Sequence, residues 1–571
     1  MRYINFKSQY NKNPINKMKT HHNEAFLGFE EIVKTLKKIN KGIICFELYP
    51  GVTKQVIKDE IINKLNYHSV IDIENYAYDK KTLDDKFYPW LTDDRVFGKM
   101  SHHTIFDYYD SLKLQEARKK ISEDGLTIIY GFGASLLGYD TLISVSVSRW
   151  EIQLRYRKGM PNFKADNEKE DSLRKYKRGY FLEWRVADRI KEATYKDLDY
   201  VIDLNDDLNP VMITKKAYDA ALEHLLTTPF RMVPYFDPGV WGGQWMKEVC
   251  NLDKRKQNYA WSFDGVPEEN SVKFDFGGKV IELPTQDLVL HKTKRFFGNR
   301  VHGRFGKQFP IRFDLLDTYE GGNLSLQVHP LTEYIYDKFG MPYTQDESYY
   351  LLDSASDGYC YIGFKENVDI KAFERDLVAS QKTGKFDAEK YVNKIKVNKH
   401  DHILIPAGTI HCSGKNTMVL EISACVYIFT FKLYDWGRLG LDGIPRPVHI
   451  KHGLNNLQYH RDSKYVKREL YNQFRKVSEY EEITGLHERE FLETRRATFS
   501  NEPIILETFG SVNTANLVEG RACIIESIDG SFEPFVVHYA ETFIIPATIS
   551  KFKIRSMYEN EKCMIVKAHV R

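Results

Sequence analysis

Two folding grammars share this chain, and they meet between residues 208 and 234. Before that stretch, from about Lys41 to Asp207, short apolar runs alternate with charged helical segments. Ile43-Ile44-Cys45-Phe46-Glu47-Leu48 and Leu126-Thr127-Ile128-Ile129-Tyr130-Gly131 read as buried strands. Each enters a glycine-containing turn and then a polar helix, which is the pattern of a parallel α/β sheet. A helical stretch at 215–226 and then Pro229 and Pro234 mark the change. From Met232 onward the chain breaks into short strands with frequent Gly, Pro and Asp turns, as in Phe236-Asp237-Pro238-Gly239-Val240-Trp241-Gly242-Gly243. That is the signature of an all-β sandwich or barrel. With 571 residues the chain is too long for one core, since single domains run to about 100–200 residues, and three or more units are expected.

The predicted layout is an N-terminal arm over 1–40, an α/β domain over 41–225, a first β domain over 230–450, a helical linker over 451–500 and a last β lobe over 501–571. The arm is basic and rich in Asn and Lys up to Asn23, lacks the apolar centre of a signal peptide and is expected to be frayed. Charged helical insertions are expected at 369–393 and 464–496. One internal echo stands out: Ile403-Leu404-Ile405-Pro406-Ala407-Gly408-Thr409-Ile410-His411 is answered by Phe543-Ile544-Ile545-Pro546-Ala547-Thr548-Ile549-Ser550-Lys551. Two related β-barrels are implied, the second lacking the Gly and His of the first.

Composition narrows the function classes. The 82 basic and 79 acidic side chains leave a net charge of +3, so no overall field favours nucleic acid or an anionic membrane, and an anionic ligand must be held by local charges. Aromatic residues make up 13% of the chain, with 36 Tyr and 34 Phe, which suits β-rich cores. The longest apolar run, 418–431, is broken by Glu421 and is shorter than the ~20 residues a spanning helix needs. Seven scattered cysteines without CxxC pairs fit neither a zinc ribbon nor a secreted disulfide scaffold, and point to a reducing cytoplasm.

The chemistry is concentrated in four residues. In Leu324-Ser325-Leu326-Gln327-Val328-His329-Pro330 the alternation is strand-like, so Gln327 and His329 project to one face. Asp346-Glu347 opens another strand with a carboxylate, and Pro406-Ala407-Gly408-Thr409-Ile410-His411 ends a strand and turn on a histidine. Two imidazoles, a carboxylate and an amide oxygen suit a catalytic Zn²⁺ with an open position better than a closed structural site, for which thiolates would be expected. Each residue alone is a weak signal, since a lone His is most often a satisfied core or surface residue.

The conjunction of Gln327-x-His329-Pro330 with the Pro-x-Gly-x-x-His turn resembles the metal site of cupins, and in particular that of class I mannose-6-phosphate isomerases. Val240-Trp241-Gly242-Gly243, Tyr259-Ala260-Trp261-Ser262-Phe263, Phe309-Pro310-Ile311-Arg312-Phe313-Asp314-Leu315-Leu316, Leu420-Glu421 and Leu433-Tyr434-Asp435 follow that family's order over about residues 230–571. The resemblance implies a tandem cupin of jelly-roll barrels with zinc in the first, and Gln327, His329, Glu347 and His411 match its ligand positions. It implies an isomerase interconverting mannose 6-phosphate and fructose 6-phosphate through an enediol. Lys432 stands where the family carries a catalytic arginine, which keeps the charge but not the planar fork. Arg438 is a second candidate for phosphate or for that arginine's role, against a solvated surface arginine. Glu421, in an apolar strand, is a candidate base or ligand-orienting group, against a structural hydrogen-bonding role. Where many family members carry a Lys after the ligand strand, this chain has Leu331-Thr332. Two rivals remain open: a sugar-phosphate-binding regulatory cupin without turnover, and an iron oxygenase, against which Gln327 as a fourth ligand counts.

In the front half, Glu47-Leu48-Tyr49-Pro50-Gly51-Val52-Thr53-Lys54-Gln55 follows a buried strand and precedes a helix, the setting of a phosphate-binding loop. Gly51 and Lys54 are the candidate residues, although Gln55 leaves no hydroxyl for magnesium. With 91–98, 130–134 and the Arg-bearing 176–189, the region resembles P-loop nucleoside kinases. The resemblance implies either a nucleotide in this domain, for sensing or phosphotransfer, with the arginines as a lid over its phosphates, or a purely structural kinase-like domain; for the arginine segment a solvated helix with aromatic packing is the alternative.

Overall fold

The computed structural model describes residues 2–424, 427, 429–485 and 487–571, so Cys425 lies outside the described residues. The chain divides into two compact units. One contains Met1–Pro14, Leu225–Val266 and Thr293–Arg571, and the other Ile15–His224 and Pro267–Lys292.

The second of these is built on a seven-stranded sheet in the order Ala25–Leu27, Val211–Thr214, Leu198–Asp203, Thr141–Ser146, Gly42–Leu48, Leu126–Gly131, Ser69–Asp72. The last five in that order are mutually parallel, and Val211–Thr214 and Ala25–Leu27 are added antiparallel. The two strands expected from their apolar runs are neighbours, with Cys45 opposite Ile129. Both are buried through their centres, which is why they read as continuous apolar runs and not as alternations. Successive parallel strands are laid down first on one side of Gly42–Leu48 and then, from Thr141–Ser146, on the other. Open sheets of this kind have their ligand crevice at such a switch, outside the carboxyl ends of the strands.

The chain returns to this unit after leaving it, which the linear reading did not foresee. Ser271–Asp275 and Val280–Pro284 form a hairpin, and Ile15–Lys17 pairs parallel to its first strand.

The other unit holds two pairs of sheets. In the first pair, a six-stranded sheet runs His402–Ile405, Glu347–Ser354, Thr417–Ser423, Arg312–Asp317, Trp261–Gly265, Tyr235–Asp237, and a five-stranded sheet runs Val392–Lys396, Tyr359–Phe364, His411–Ser413, Leu326–Val328, Phe431–Tyr434. All pairings in both are antiparallel. In the second pair, strands from Arg475–Lys476 to Cys563–Val570 form six- and four-stranded sheets around an apolar core that includes Phe499, Leu517, Phe543, Ile545, Phe552 and Ile565. The sequence echo has a structural counterpart. His402–Ile405 and Thr542–Ile545 each end in a Pro-Ala turn that carries the chain into the facing sheet, at His411–Ser413 and Lys551–Ser556. His411 is buried, whereas Lys551 is an exposed partner of Glu507 at 2.7 Å.

Helix Ile370–Thr383 lies within the expected insertion, capped by the Asp369 carboxylate on the Ala372 N–H at 3.0 Å and closed by Gly384 at φ 69. The stretch 464–496 differs from expectation: it is helical only to Leu470 and then forms strands Arg475–Lys476, Glu481–Gly485 and Leu492–Phe499. Its charge density reflects cross-strand pairing rather than a helix surface. Arg496 lies opposite Glu482 in register and bonds it at 2.6 Å.

The N-terminal residues also differ from the frayed arm expected. Ile4 and Tyr10 are buried, the Tyr10 hydroxyl donates to Asp264 at 3.2 Å, and the Asn11 N–H donates to Glu541 at 2.7 Å.

The Trp241-Gly242-Gly243 motif has a steric cause. Gly243 N–H donates to the Tyr259 carbonyl at 2.9 Å, and a Cβ on Gly243 would stand 2.0 Å from Asp317 Oδ1. Asp317 cannot yield, because its carboxylate accepts the N–H groups of Met246 and Tyr319 at 2.8 and 3.0 Å. Gly243→Ala is therefore expected to cost about 1–3 kcal/mol of stability, read from the urea midpoint.

Candidate metal centre

Gln327 lies on Leu326–Val328, directly opposite His411 on one side and Lys432 on the other. Because facing residues in a ladder share a face, all three project from the same side of the five-stranded sheet. Glu347 starts a strand of the six-stranded sheet. The site is thus assembled from both sheets, which face one another across it.

His329, Glu347 and His411 converge, with one ligand atom from each lying within 4.8 Å of the others. His329 Nε2 is 3.0 Å from Glu347 Oε2, and His411 Nε2 is 2.9 Å from Glu347 Oε1. Gln327 Nε2 lies 3.2 Å from His411 Nε2, so a half-turn of the amide brings its oxygen to the same centre. All four side chains are buried.

The other imidazole nitrogens fix the chemistry of these. His329 Nδ1 is 2.8 Å from the Phe429 carbonyl and His411 Nδ1 is 2.9 Å from the Thr409 carbonyl. A carbonyl only accepts, so each Nδ1 carries the proton and each Nε2 turns a lone pair towards the Glu347 carboxylate. Acceptors set 3 Å apart in a buried site need a cation between them. The donor set fits a divalent cation.

Neighbouring groups hold the turn that carries His411. Gly408 sits at φ 89, and a Cβ there would meet Gln458 Cγ at 2.6 Å and the Asn456 carbonyl at 2.8 Å. Its N–H donates to the His329 carbonyl at 2.9 Å, tying the turn before His411 to the segment of His329. Asp346 accepts the Ala407 N–H at 2.7 Å, and the buried Arg461 donates to the carbonyls of Pro406 and Ala407 at 2.7 and 2.8 Å and to the Thr409 hydroxyl. Tandem Asp346 and Glu347 therefore divide the work, one clamping the turn and the other facing the centre.

Glu421 lies opposite Tyr349 and Asp314 in register, on the same wall as Glu347. It is 3.4 Å from Gln345 Nε2, which also donates to Glu347 at 3.1 Å. Burial, then the Asp314 and Glu347 carboxylates, push the Glu421 pKa well above the ordinary value. Sequence reading missed Gln345 and the Arg312–Asp314 pair, which is closed at 3.2 Å. Gln345 stands two residues before Glu347, ahead of the strand Glu347–Ser354, where no strand period marks it.

Arg438 is engaged elsewhere. It bonds the Asp435 carboxylate and the Asn323 carbonyl, each at 2.7 Å, and so fixes the turn after the Lys432 strand.

In the α/β unit, Gly51 follows Gly42–Leu48 at φ 106, and its carbonyl accepts from Arg155 at 3.1 Å. Lys54 is bound by two carboxylates, Asp72 at 3.0 Å and Glu74 at 2.5 Å. The arginines of 176–189 are each held by the protein: Arg178 by Asp84 at 2.7 Å, Arg185 by Glu268, and Arg189 by the Ser101 carbonyl at 2.9 Å.

Fold and site together define a chain with a buried pair of histidines and a carboxylate bridging two antiparallel sheets, joined to a mainly parallel α/β unit. Over about two-fifths of its length its sequence is similar to mannose-6-phosphate isomerases. It is 24% identical over 235 residues to ManA of Bacillus subtilis, covering 41% of this chain and 69% of that one. The mannose-6-phosphate isomerase of Streptococcus mutans is 26% identical over 220 residues, covering 38% and 64% respectively. Among solved structures, the mannose 6-phosphate isomerase of Bacillus subtilis aligns with 60% of this chain and 100% of its own at a TM-score of 0.47 and 20% identity. Residues 28–227 match a family model described as a domain of unknown function, DUF8485.

Proposed function

We propose that this chain is a zinc-dependent aldose–ketose isomerase acting on mannose 6-phosphate and fructose 6-phosphate, with a tandem cupin fold in residues 230–571. The observation that carries the reading is the pair of imidazoles, each fixed by a carbonyl at Nδ1, whose Nε2 atoms meet at one buried carboxylate. The similarity to proteins named mannose-6-phosphate isomerases supports the choice of substrate.

Gln327, His329, Glu347 and His411 would hold the ion, and Zn²⁺ in that position supplies Lewis acidity to a sugar oxygen. The reaction moves a proton between C1 and C2 through an enediol, whose oxygen gathers negative charge. Lys432, in register with Gln327, adds positive charge on that face. Glu421, with its raised pKa, is suited to hold a proton at its carboxyl and return it to the substrate. Arg438 acts through Asp435 by fixing the turn beyond Lys432. The described cysteines are all free thiols, in keeping with a cytoplasmic protein, and no described helix is long and apolar enough to cross a membrane.

A coupled assay for fructose 6-phosphate formation tests the reading. Turnover of mannose 6-phosphate that is abolished by chelator and restored by Zn²⁺ is expected. A metal-loaded protein without turnover would favour the regulatory cupin instead. Lys432→Ala is expected to lower kcat/KM about 100-fold, as loss of one electrostatic stabiliser does, and Lys432→Arg to retain most of it.

A nucleotide-binding α/β unit is the second reading. The Gly51–Lys54 loop at the end of a central parallel strand favours it.

A further inference from the structure

The switch point of the α/β sheet, the position at which open sheets of this kind bind ligands, lies between the ends of Gly42–Leu48 and Thr141–Ser146. Tyr49 and Arg149 stand just beyond those two strands and meet there. Arg149 Nε and Nη2 bond the Tyr49 hydroxyl at 3.2 and 3.0 Å, and Nη2 also bonds Asp188 at 2.6 Å. The guanidinium packs over the Trp184 ring at 5.2 Å and is only 2% exposed. Arg185, one turn before Asp188 on helix Trp184–Thr194, reaches the same place.

What fills this position is a carboxylate from far along the chain. Glu268 Oε1 is bonded by Arg149 Nη1 and by Arg185 Nη2 together, and its backbone carbonyl accepts from Arg149 at 3.2 Å. The adjacent Glu269 accepts from the Tyr176 hydroxyl at 2.7 Å and from Gln153 at 3.4 Å. Both glutamates are buried. They belong to the segment that opens the hairpin 271–284, which has returned to this unit from a distant part of the sequence.

Arg149 is bonded through Nε, Nη1 and Nη2, whereas Arg185, whose guanidinium lies over the Tyr180 ring at 4.8 Å, keeps a donor to spare. A guanidinium offers five N–H donors. Among the described residues Arg185 finds a hydrogen-bond acceptor only through Nη2, and its Nε is buried without one. Two guanidinium groups converging on one oxygen at a sheet's ligand crevice are matched to an anion with several terminal oxygens, for which Arg forks are shaped. Buried donors left over in this way call for such an explanation.

We propose that Arg149 and Arg185 form a phosphate-class anion site at the switch point of the α/β unit, and that Glu268 occupies it as a built-in anion, holding the site closed to phosphate-bearing ligands. The same carboxylate docks the returning hairpin. In this state Arg149 and Arg185 are closed to phosphate, whatever the outcome for the isomerase reading or for the Gly51–Lys54 loop, on neither of which the proposal depends.

Glu268→Gln keeps the size and the acceptor oxygen but removes the charge. Inorganic phosphate and ADP are titrated calorimetrically into full-length wild type, Glu268→Gln and Glu268→Gln/Arg185→Met. The expected result is at least tenfold tighter phosphate binding in the single variant than in wild type, with the gain lost in the double variant. ADP binding more tightly than phosphate in the single variant assigns the phosphate to a nucleotide; equal affinity assigns it to the free anion. The proposal is overturned if Glu268→Gln folds without gaining phosphate binding, or if the gain survives loss of Arg185. Should Glu268→Gln fail to fold in chloride, refolding in phosphate decides: recovery of soluble protein supports the proposal, and no recovery rejects it.

Discussion

Replacing His411 with alanine is expected to lower isomerase activity by at least about 100-fold and to reduce bound zinc from about one equivalent to a small fraction of that. The size of the effect follows from position. His411 starts the strand after the Pro-Ala-Gly turn, pairs with Gln327 in register and sits 2.9 Å from Glu347. Losing groups that merely orient metal ligands costs about 10–100-fold in affinity or activity, so losing a ligand itself exceeds that range. The variant also leaves the Glu347 carboxylate buried with one imidazole partner instead of two. Elemental analysis and the coupled assay, run on the same preparation, separate two failures. Zinc retained with activity lost would mean that His411 acts on the substrate and not on the ion, whereas zinc and activity both retained would remove His411 from the site altogether.

How much of this was legible beforehand depends on the range of the interaction. Gln327 and His329 were readable because a two-residue period is a local property, and the Pro-Gly turn before His411 is local as well. Their convergence on Glu347 is long-range, and only the ordered resemblance suggested it. Arg461 was invisible: its three contacts lie more than fifty residues away, at Pro406, Ala407 and Thr409, and nothing near Arg461 distinguishes it from a surface arginine. The parallel sheet was legible because strands buried on both faces leave unbroken apolar runs. The return of Pro267–Lys292 was not, since a hairpin's sequence records its own pairing and not the unit on which it docks. Charge misleads twice, for two reasons. The dense charge at 464–496 belongs to neighbouring strands, where Arg495 and Arg496 pair with Glu481 and Glu482 inside the same segment, whereas the basic N-terminus is tied to distant residues, Arg2 to Glu320 and the Asn11 N–H to the buried Glu541.

The largest stability effect is expected from that buried pairing. Glu541→Ala should destabilise the protein by about 3–5 kcal/mol, read from denaturant unfolding. Glu541 Oε1 lies 2.7 Å from Arg231 Nη1 and accepts the Asn11 N–H at 2.7 Å, while Oε2 accepts the His538 N–H at 2.8 Å. Both side chains of the ion pair are buried, at 4% and 1% exposure, so truncating Glu541 leaves a guanidinium charge away from water with its counter-charge gone. Asp264 does not compensate: it interacts electrostatically with Arg231, but burial pushes it up to about 7, so it is only partly ionised near neutrality. The residues around Asn11 lose their anchor in the same step, and a protease-sensitive N-terminus should accompany the lower midpoint. Replacing both partners tests the cause. If the loss comes from a stranded charge, Arg231→Met/Glu541→Leu should recover most of it, because an apolar pair of similar volume carries no unpaired charge. If instead the double variant is as unstable as Glu541→Ala, the hydrogen bonds to Asn11 and His538, rather than the ion pair, hold this part of the fold together.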